Sequence, residues 1–329
     1  VSGVPSYDEL AGVDREVLWG LIGQLGEPTR SATYEHAWQR DAATWEAVKT
    51  ALAAAAAGES AARTAAPRWL DPLVRRRLTA MASGPTWHAA MQLVRLLERT
   101  GLVALTVDDD YVLAVVGSLG SRDPGGRAAA LRDDAELRER VVWRMFEVEG
   151  GGQVSLTNVD KFIGAETSWG DTFQALVADG SLPRDRVLRE CLIALGRDFS
   201  AYRASWYSTL YTALGPAPDE VAADQSLVRT LLRSDVAATV SFAVKLLRSL
   251  ANAGLLARSA TVEALRPAVL CRVKGTAVEA VRLLETLSDD CEVVGVAATA
   301  LEHPHADVQR AAASLLERLG AGDRVVAAA

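Results

Sequence analysis

Apolar positions recur every three or four residues along most of the chain, in segments of about 10 to 20 residues punctuated by Gly, Pro or Asx. That period lays apolar side chains along one face of a helix and does not match the alternation of a half-buried strand. Roughly fifteen helices and no convincing strand are therefore predicted. DREVLWGLIGQLG (residues 14–26) and SATYEHAWQRDAATWEAVKTALAAAAAG (31–58) start at plausible N-caps and stop at Gly, with Trp38 and Trp45 on one face of the second. Further helices fit WLDPLVRRRLTAMA, GPTWHAAMQLVRLLERTG, DDDYVLAVVGSLG and DAELRERVVWRMFEVEG. The period lapses in EGGGQVSLTNVDKFIGAETSWG (149–170), where Gly, Ser, Thr and Asn accumulate. This divides the chain into an N-terminal helical region (1–148), a connecting loop (149–170) and a C-terminal repeat region (171–329).

Within the last region, SDVAATVSFAVKLLRSL (234–250), VKGTAVEAVRLLETL (273–287) and HADVQRAAASLLERL (305–319) align, their cores starting at Ala243, Ala280 and Ala312. The intervals of 37 and 32 residues match the length of a two-helix HEAT-like unit. TVEALRPAVL and EVVGVAATAL supply the first helix of two pairs, and Pro267 is placed to kink one of them. One helix pair cannot bury both of its apolar faces, so such pairs stack into an array with a continuous core. The fold expected is all-α, an α-α superhelix (solenoid) of HEAT-like pairs, more degenerate in its N-terminal part.

GRDFSAYRASWYSTLYTALGP (196–216) concentrates five aromatic rings. Stepping about 100° per residue puts Phe199, Tyr202, Trp206, Leu210 and Ala213 in one stripe, the expected core face. Tyr207 and Tyr211 fall further round, beside Arg203, and are left open for contact. The run LPRDRVLRECLIALGRDFSAYRASWYSTLYTALGPAPDEV (182–221), with Lys274 to Thr276 and ALEHPHADVQRAAASLLERL (300–319), resembles a family of large bacterial HEAT-like repeat proteins of uncharacterised function. The likeness spans about residues 141–319. It implies the repeat fold and carries no catalytic residue. Members of that family are longer, so a piece of a longer protein or a short member is expected.

Ala, Leu, Val and Arg dominate and aromatics make up only 6%, which favours helix over strand. The formal charge of −7 argues against a dedicated nucleic-acid coat, but it hides an uneven distribution. Residues 61–100 hold seven Arg against Asp71 and Glu98, whereas residues 1–60 hold nine acids against four bases. A solvated Arg-rich helix face is the simpler reading of that segment. Cys191, Cys271 and Cys291 are widely spaced, which suits small buried hydrophobes better than a zinc or disulfide framework. No run approaches the ~18 apolar residues of a membrane span, and a reducing cytoplasm is the expected compartment.

Candidates for chemistry have simpler structural readings. His303, His305 and Asp307 are spaced as ligands but sit where a turn between repeat helices belongs. His36 and His88 lie near Trp residues and read as packing groups. EGGG (149–152) and GSLGSRDPGG (117–126) lack the spacing and strand context of phosphate loops. The run Asp108 to Asp110 is suited to N-capping the helix that follows. No cofactor, metal or catalytic residue is assigned. The leading expectation is a non-enzymatic scaffold whose concave face binds another protein or a peptide through Arg203, Tyr207, Tyr211, Lys245, Arg248, Arg282, Glu285, Gln309 and Arg310. The alternative is a nucleic-acid-binding helical-repeat protein, a class that includes DNA-glycosylase-like folds, using Arg68, Arg75, Arg76, Arg77, Arg95 and Arg99.

Overall fold

The computed structural model describes residues 70–83, 91, 94–95, 98, 103–119, 125–162, 168–197, 199–287 and 291–321. Every regular element among them is helical. The helices expected over residues 14–26 and 31–58, with Trp38 and Trp45, lie outside this set, as do His36 and His88. The chain divides into two compact units, Val1–Leu176 and Val177–Ala329.

In the first unit, α1 (Leu70–Ser83) packs along α2 (Asp109–Ser118). The Asp108 carboxylate accepts from the Tyr111 N–H at 3.0 Å, so the acidic run does cap the helix. Tyr111, Val112, Ala114, Val115 and Val116 are all buried, which makes α2 a central helix rather than a surface one. Next come α3 (Gly126–Asp133) and α4 (Ala135–Val141), with Asp134 accepting from the Leu137 N–H at 2.9 Å at the start of α4. A 3₁₀ turn, Trp143–Phe146, closes this stretch.

Of residues 149–170, the stretch expected to connect domains, residues 149–162 and 168–170 are described, and part of them is helical. Gly150 takes φ 82°, and a Cβ there would stand 2.4 Å from the Val154 carbonyl oxygen, so this glycine is demanded by the turn. Ser155 then caps α5 (Leu156–Lys161), accepting from the Asn158 N–H at 3.1 Å. Asp160 in turn accepts from the Trp169 and Gly170 N–H groups at 2.6 and 3.1 Å and so tethers the start of α6 (Trp169–Ala178). Trp169 is fully buried, and Phe173 meets Phe146 edge-on at 5.3 Å. Gly150, Ser155 and Ser168 thus serve a turn and two helix starts. The division into units falls beyond it, inside α6.

The helices of the second unit sort into two sets by packing. The first helices are α7 (Arg184–Leu195), the broken pair α9 (Pro218–Ala223) and α10 (Gln225–Thr230), the broken pair α12 (Arg258–Ala264) and α13 (Arg266–Val269), and α15 (Cys291–Thr299). The second helices are α8 (Ala201–Leu214), α11 (Ala237–Asn252), α14 (Lys274–Leu284) and α16 (Ala306–Arg318). Second helices pack in order, α8 on α11, α11 on α14 and α14 on α16, and contacts also join α7 to α10, α10 to α12 and α12 to α15. The break before α13 falls at Leu265, two residues ahead of Pro267, which has no N–H to continue the ladder. The three aligned alanines, Ala243, Ala280 and Ala312, are all fully buried where second helices meet, and Leu247 and Leu284 are fully buried beside them. A small residue at that position lets neighbouring helices approach, and the leucine one turn on fills the space.

Two expectations about burial are corrected. Tyr207 and Tyr211 are 3% and 1% exposed, whereas Tyr202 is 45% exposed, and Ala213 is also exposed. The helix starts only at Ala201, so Phe199 is not part of the stripe, and the buried face runs through Ala204, Tyr207 and Tyr211 with Trp206 and Leu210 beside it. Tyr211 stacks edge-on against Phe242 of α11 at 5.5 Å, which is what its position on the inter-helix face requires. Of the cysteines, Cys191 and Cys271 are buried but Cys291, at the first position of α15, is exposed.

Candidate functional site

α11, α14 and α16 each bury one face and turn a charged face to solvent. On that outer face Arg248 of α11 pairs with Glu279 of α14, which also accepts from Arg282 at 2.6 Å. Lys274 of α14 reaches Asp307 of α16 at 3.0 Å, and Arg310 meets the same carboxylate at 3.2 Å. Glu285, just past α14, pairs with Arg318 of α16 at 2.6 Å. Lys274 holds the Asp307 carboxyl below its usual range, with Arg310 adding to the effect. A shallow groove of about 500 Å³ lies between α14 and α16, lined by Lys274, Glu279, Arg282, Asp307, Arg310 and Ser314.

Five of the residues expected to contact a partner therefore lie on this surface: Arg248, Arg282, Glu285 and Arg310 within the ion pairs, and Lys245, exposed on α11. Gln309 is exposed too, but its amide donates to the His303 carbonyl at 2.8 Å and so braces the preceding turn. Arg203 is half-buried on α8. Tyr207 and Tyr211, buried in the core, present nothing to a partner. Sequence reasoning missed Lys274, Glu279, Asp307 and Arg318, although the acid-to-Arg spacing of three at Glu279 and Arg282, and again at Asp307 and Arg310, was a readable signal.

The turn before α16 accounts for the histidines. His303 is fully buried; its Nε2 lies 3.0 Å from the Cys271 carbonyl oxygen, and its Nδ1 accepts from the His305 N–H at 3.1 Å. Ser234 plays the same part before α11, accepting from the Val236 N–H at 3.1 Å. The His303 and His305 rings lie 5.5 Å apart, Asp307 is drawn to Lys274 and Arg310, and no metal-ligand cluster forms among the described residues.

The arginines proposed for nucleic acid fare differently. Arg68 and Arg99 lie outside the described residues, as do the side chains of Arg76 and Arg77 on α1. Arg75 donates to the Thr106 hydroxyl at 3.1 Å and lies 3.7 Å from Asp108. Arg95 is fully buried, donating to both oxygens of Asp134 at 2.7 and 2.9 Å, to Glu98 at 2.7 Å and to Glu136 at 3.3 Å. Burial alone would lower its pKa, but Asp134 and Glu98 hold it above the usual arginine value. Arg140 closes the cluster from outside by contacting Glu98 at 3.3 Å and Glu136 at 3.0 Å, and the Tyr111 hydroxyl donates to Glu98 at 2.5 Å. Burial, then the Glu98 charge, raises the Tyr111 phenol well above its normal range. Arg95 thus joins the helix carrying it to α2 and α4, and no phosphate can reach it.

A family model described as a domain of unknown function, DUF6493, matches residues 61–272. That match begins well before the residues whose likeness was legible in the sequence and stops before α14. No curated protein and no solved structure matches the chain. Among the described residues, no helix is long and apolar enough to cross a membrane.

Proposed function

The chain belongs to the DUF6493 family, whose function is unknown, and from that premise we propose that it is a non-enzymatic scaffold. In this reading the second unit is a solenoid of HEAT-like pairs whose second helices line a concave face that holds a protein or a peptide segment. The observation that carries it is the run of exposed charged faces on α11, α14 and α16, bridged from helix to helix and grooved between α14 and α16. Such a face can vary without disturbing the alanines and leucines that pack the pairs. Its mixed charges suit a partner segment carrying both signs, because exposed ion pairs contribute only about 0–1 kcal/mol each and exchange partners at small cost. The three free cysteines fit a reducing cytoplasm.

Nucleic-acid binding has less support, since Arg95 is enclosed by carboxylates and Arg75 is engaged by Thr106 and Asp108. The test is affinity capture of the tagged chain from lysate of its native host, divided into nuclease-treated and untreated halves. A stoichiometric protein that survives nuclease is the expected result. Recovery of nucleic acid, with every associated protein lost on digestion, would overturn the scaffold reading.

A further inference from the structure

Arg127 poses a problem that none of the contacts above resolves. It is the second residue of α3 and only 1% exposed, placing it among the largest fully buried side chains of the chain. Its Nε, Nη1 and Nη2 are all shielded from solvent, and none has a hydrogen-bond partner among the described residues. The guanidinium carbon lies 5.0 Å from the centre of the Trp169 ring. That ring is itself locked in place, its Nε1 donating to the Val116 carbonyl at 2.9 Å and its backbone N–H to Asp160.

A cation over an indole face gains from the ring's quadrupole, but this leaves all five N–H donors unfilled. The Asp160 charge acts on Arg127, yet its two oxygens accept from the Trp169 and Gly170 N–H groups and not from Arg127. Burial lowers the Arg127 pKa to about 10, with Asp160 opposing, so the group is still charged at neutral pH. Arg95 shows how the same unit meets a buried guanidinium when the charge is internal to the fold: hydrogen bonds to three carboxylates. Buried charges are ordinarily paired, so a fully buried guanidinium without a hydrogen-bond partner among the described residues is suited to receive an anion.

We propose that Arg127 is the receptor for a small oxyanion, a carboxylate or a phosphate, bound by the guanidinium fork on the side not covered by Trp169. A planar fork of N–H donors matches the two oxygens of either group, and the indole behind it fixes its orientation. Since the side chain is 1% exposed, entry needs a local opening, and binding is slow on mixing. This assignment concerns the first unit and does not rest on the scaffold reading.

The experiment is thermal unfolding of the wild type, Arg127→Lys and Arg127→Met in sodium phosphate, sodium acetate or sodium chloride at matched ionic strength. Phosphate or acetate should raise the wild-type melting temperature saturably above chloride, and the more effective anion identifies whether the site takes phosphate or carboxylate. Arg127→Lys should need at least about tenfold more anion, because an ammonium cannot form the bidentate pair. Arg127→Met should melt at or above the anion-free wild type and ignore the anion. No saturable response in the wild type, or an equal one in Arg127→Met, would overturn the proposal. Should Arg127→Met fail to fold, the Arg127 Nε–Hε NMR signal, assigned by its absence from Arg127→Lys, decides. It must shift on titration with phosphate or acetate, and a signal unmoved by both refutes the site.

Discussion

Arg95 and Arg127 are both buried in the first unit, and only Arg95 has carboxylates hydrogen-bonded to its guanidinium. The same substitution should therefore act in opposite directions. Arg95→Met strands Glu98 and Asp134 in the interior and should cost about 3–5 kcal/mol in urea unfolding. Arg127→Met removes a charge that lacks a hydrogen-bonded partner and should be neutral or stabilising in anion-free buffer. Equal losses for the two would contradict the distinction. Neither role was legible from sequence. Arg95 lay in a segment that read as a basic surface, because its acidic partners Asp134 and Glu136 come from a different helix. Arg127 is an isolated arginine after two glycines, with no spacing to mark it. Angular position misassigned the rings for a related reason. A helical wheel ranks side chains around one axis but does not say which arc faces α11, and so Tyr202 was placed inside and Tyr211 left open.

Helices and their punctuation were far more readable, since a helix's apolar period and its caps are local. Asp108, Gly215 and Pro267 each act where their chemistry predicts, as N-cap, left-handed C-cap and interruption. The spacing of 37 and 32 residues placed equivalent alanines in the core. One inter-element tie makes a test. Arg184 at the start of α7 grips Glu220 of α9 at 2.7 and 3.1 Å and also donates to the Leu214 carbonyl at the end of α8, while Glu220 accepts from the Ala217 N–H at 2.8 Å. Arg184 first, then the Ala217 N–H, holds the Glu220 carboxyl below its ordinary range. A carboxyl depressed by folding adds stability above its unfolded pKa, about 4.3, and that stability is lost as pH falls through the lower folded value. Between about pH 5 and pH 3, wild type should lose more unfolding free energy than Glu220→Gln. Parallel curves would show that the tie contributes nothing.

At the scale of the whole molecule, two compact units share one chain and the family match overlaps both, while α14 and α16 with their groove lie beyond it. The helical class followed from composition and period, but a partner leaves no local signature. A protein-binding face is written in exposed residues whose spacing the fold does not constrain, which is why the ion-paired surface of α11, α14 and α16 was only partly anticipated. The central claim is that this surface holds a protein. Its most direct test is a charge reversal, Arg282→Glu with Arg310→Glu, compared with wild type by capture from nuclease-treated host lysate. Both side chains are exposed, so the double variant should change stability by about 1 kcal/mol or less. The account predicts a folded variant that no longer retains the protein captured by the wild type; a folded variant that retains it undiminished would contradict the placement of the binding face.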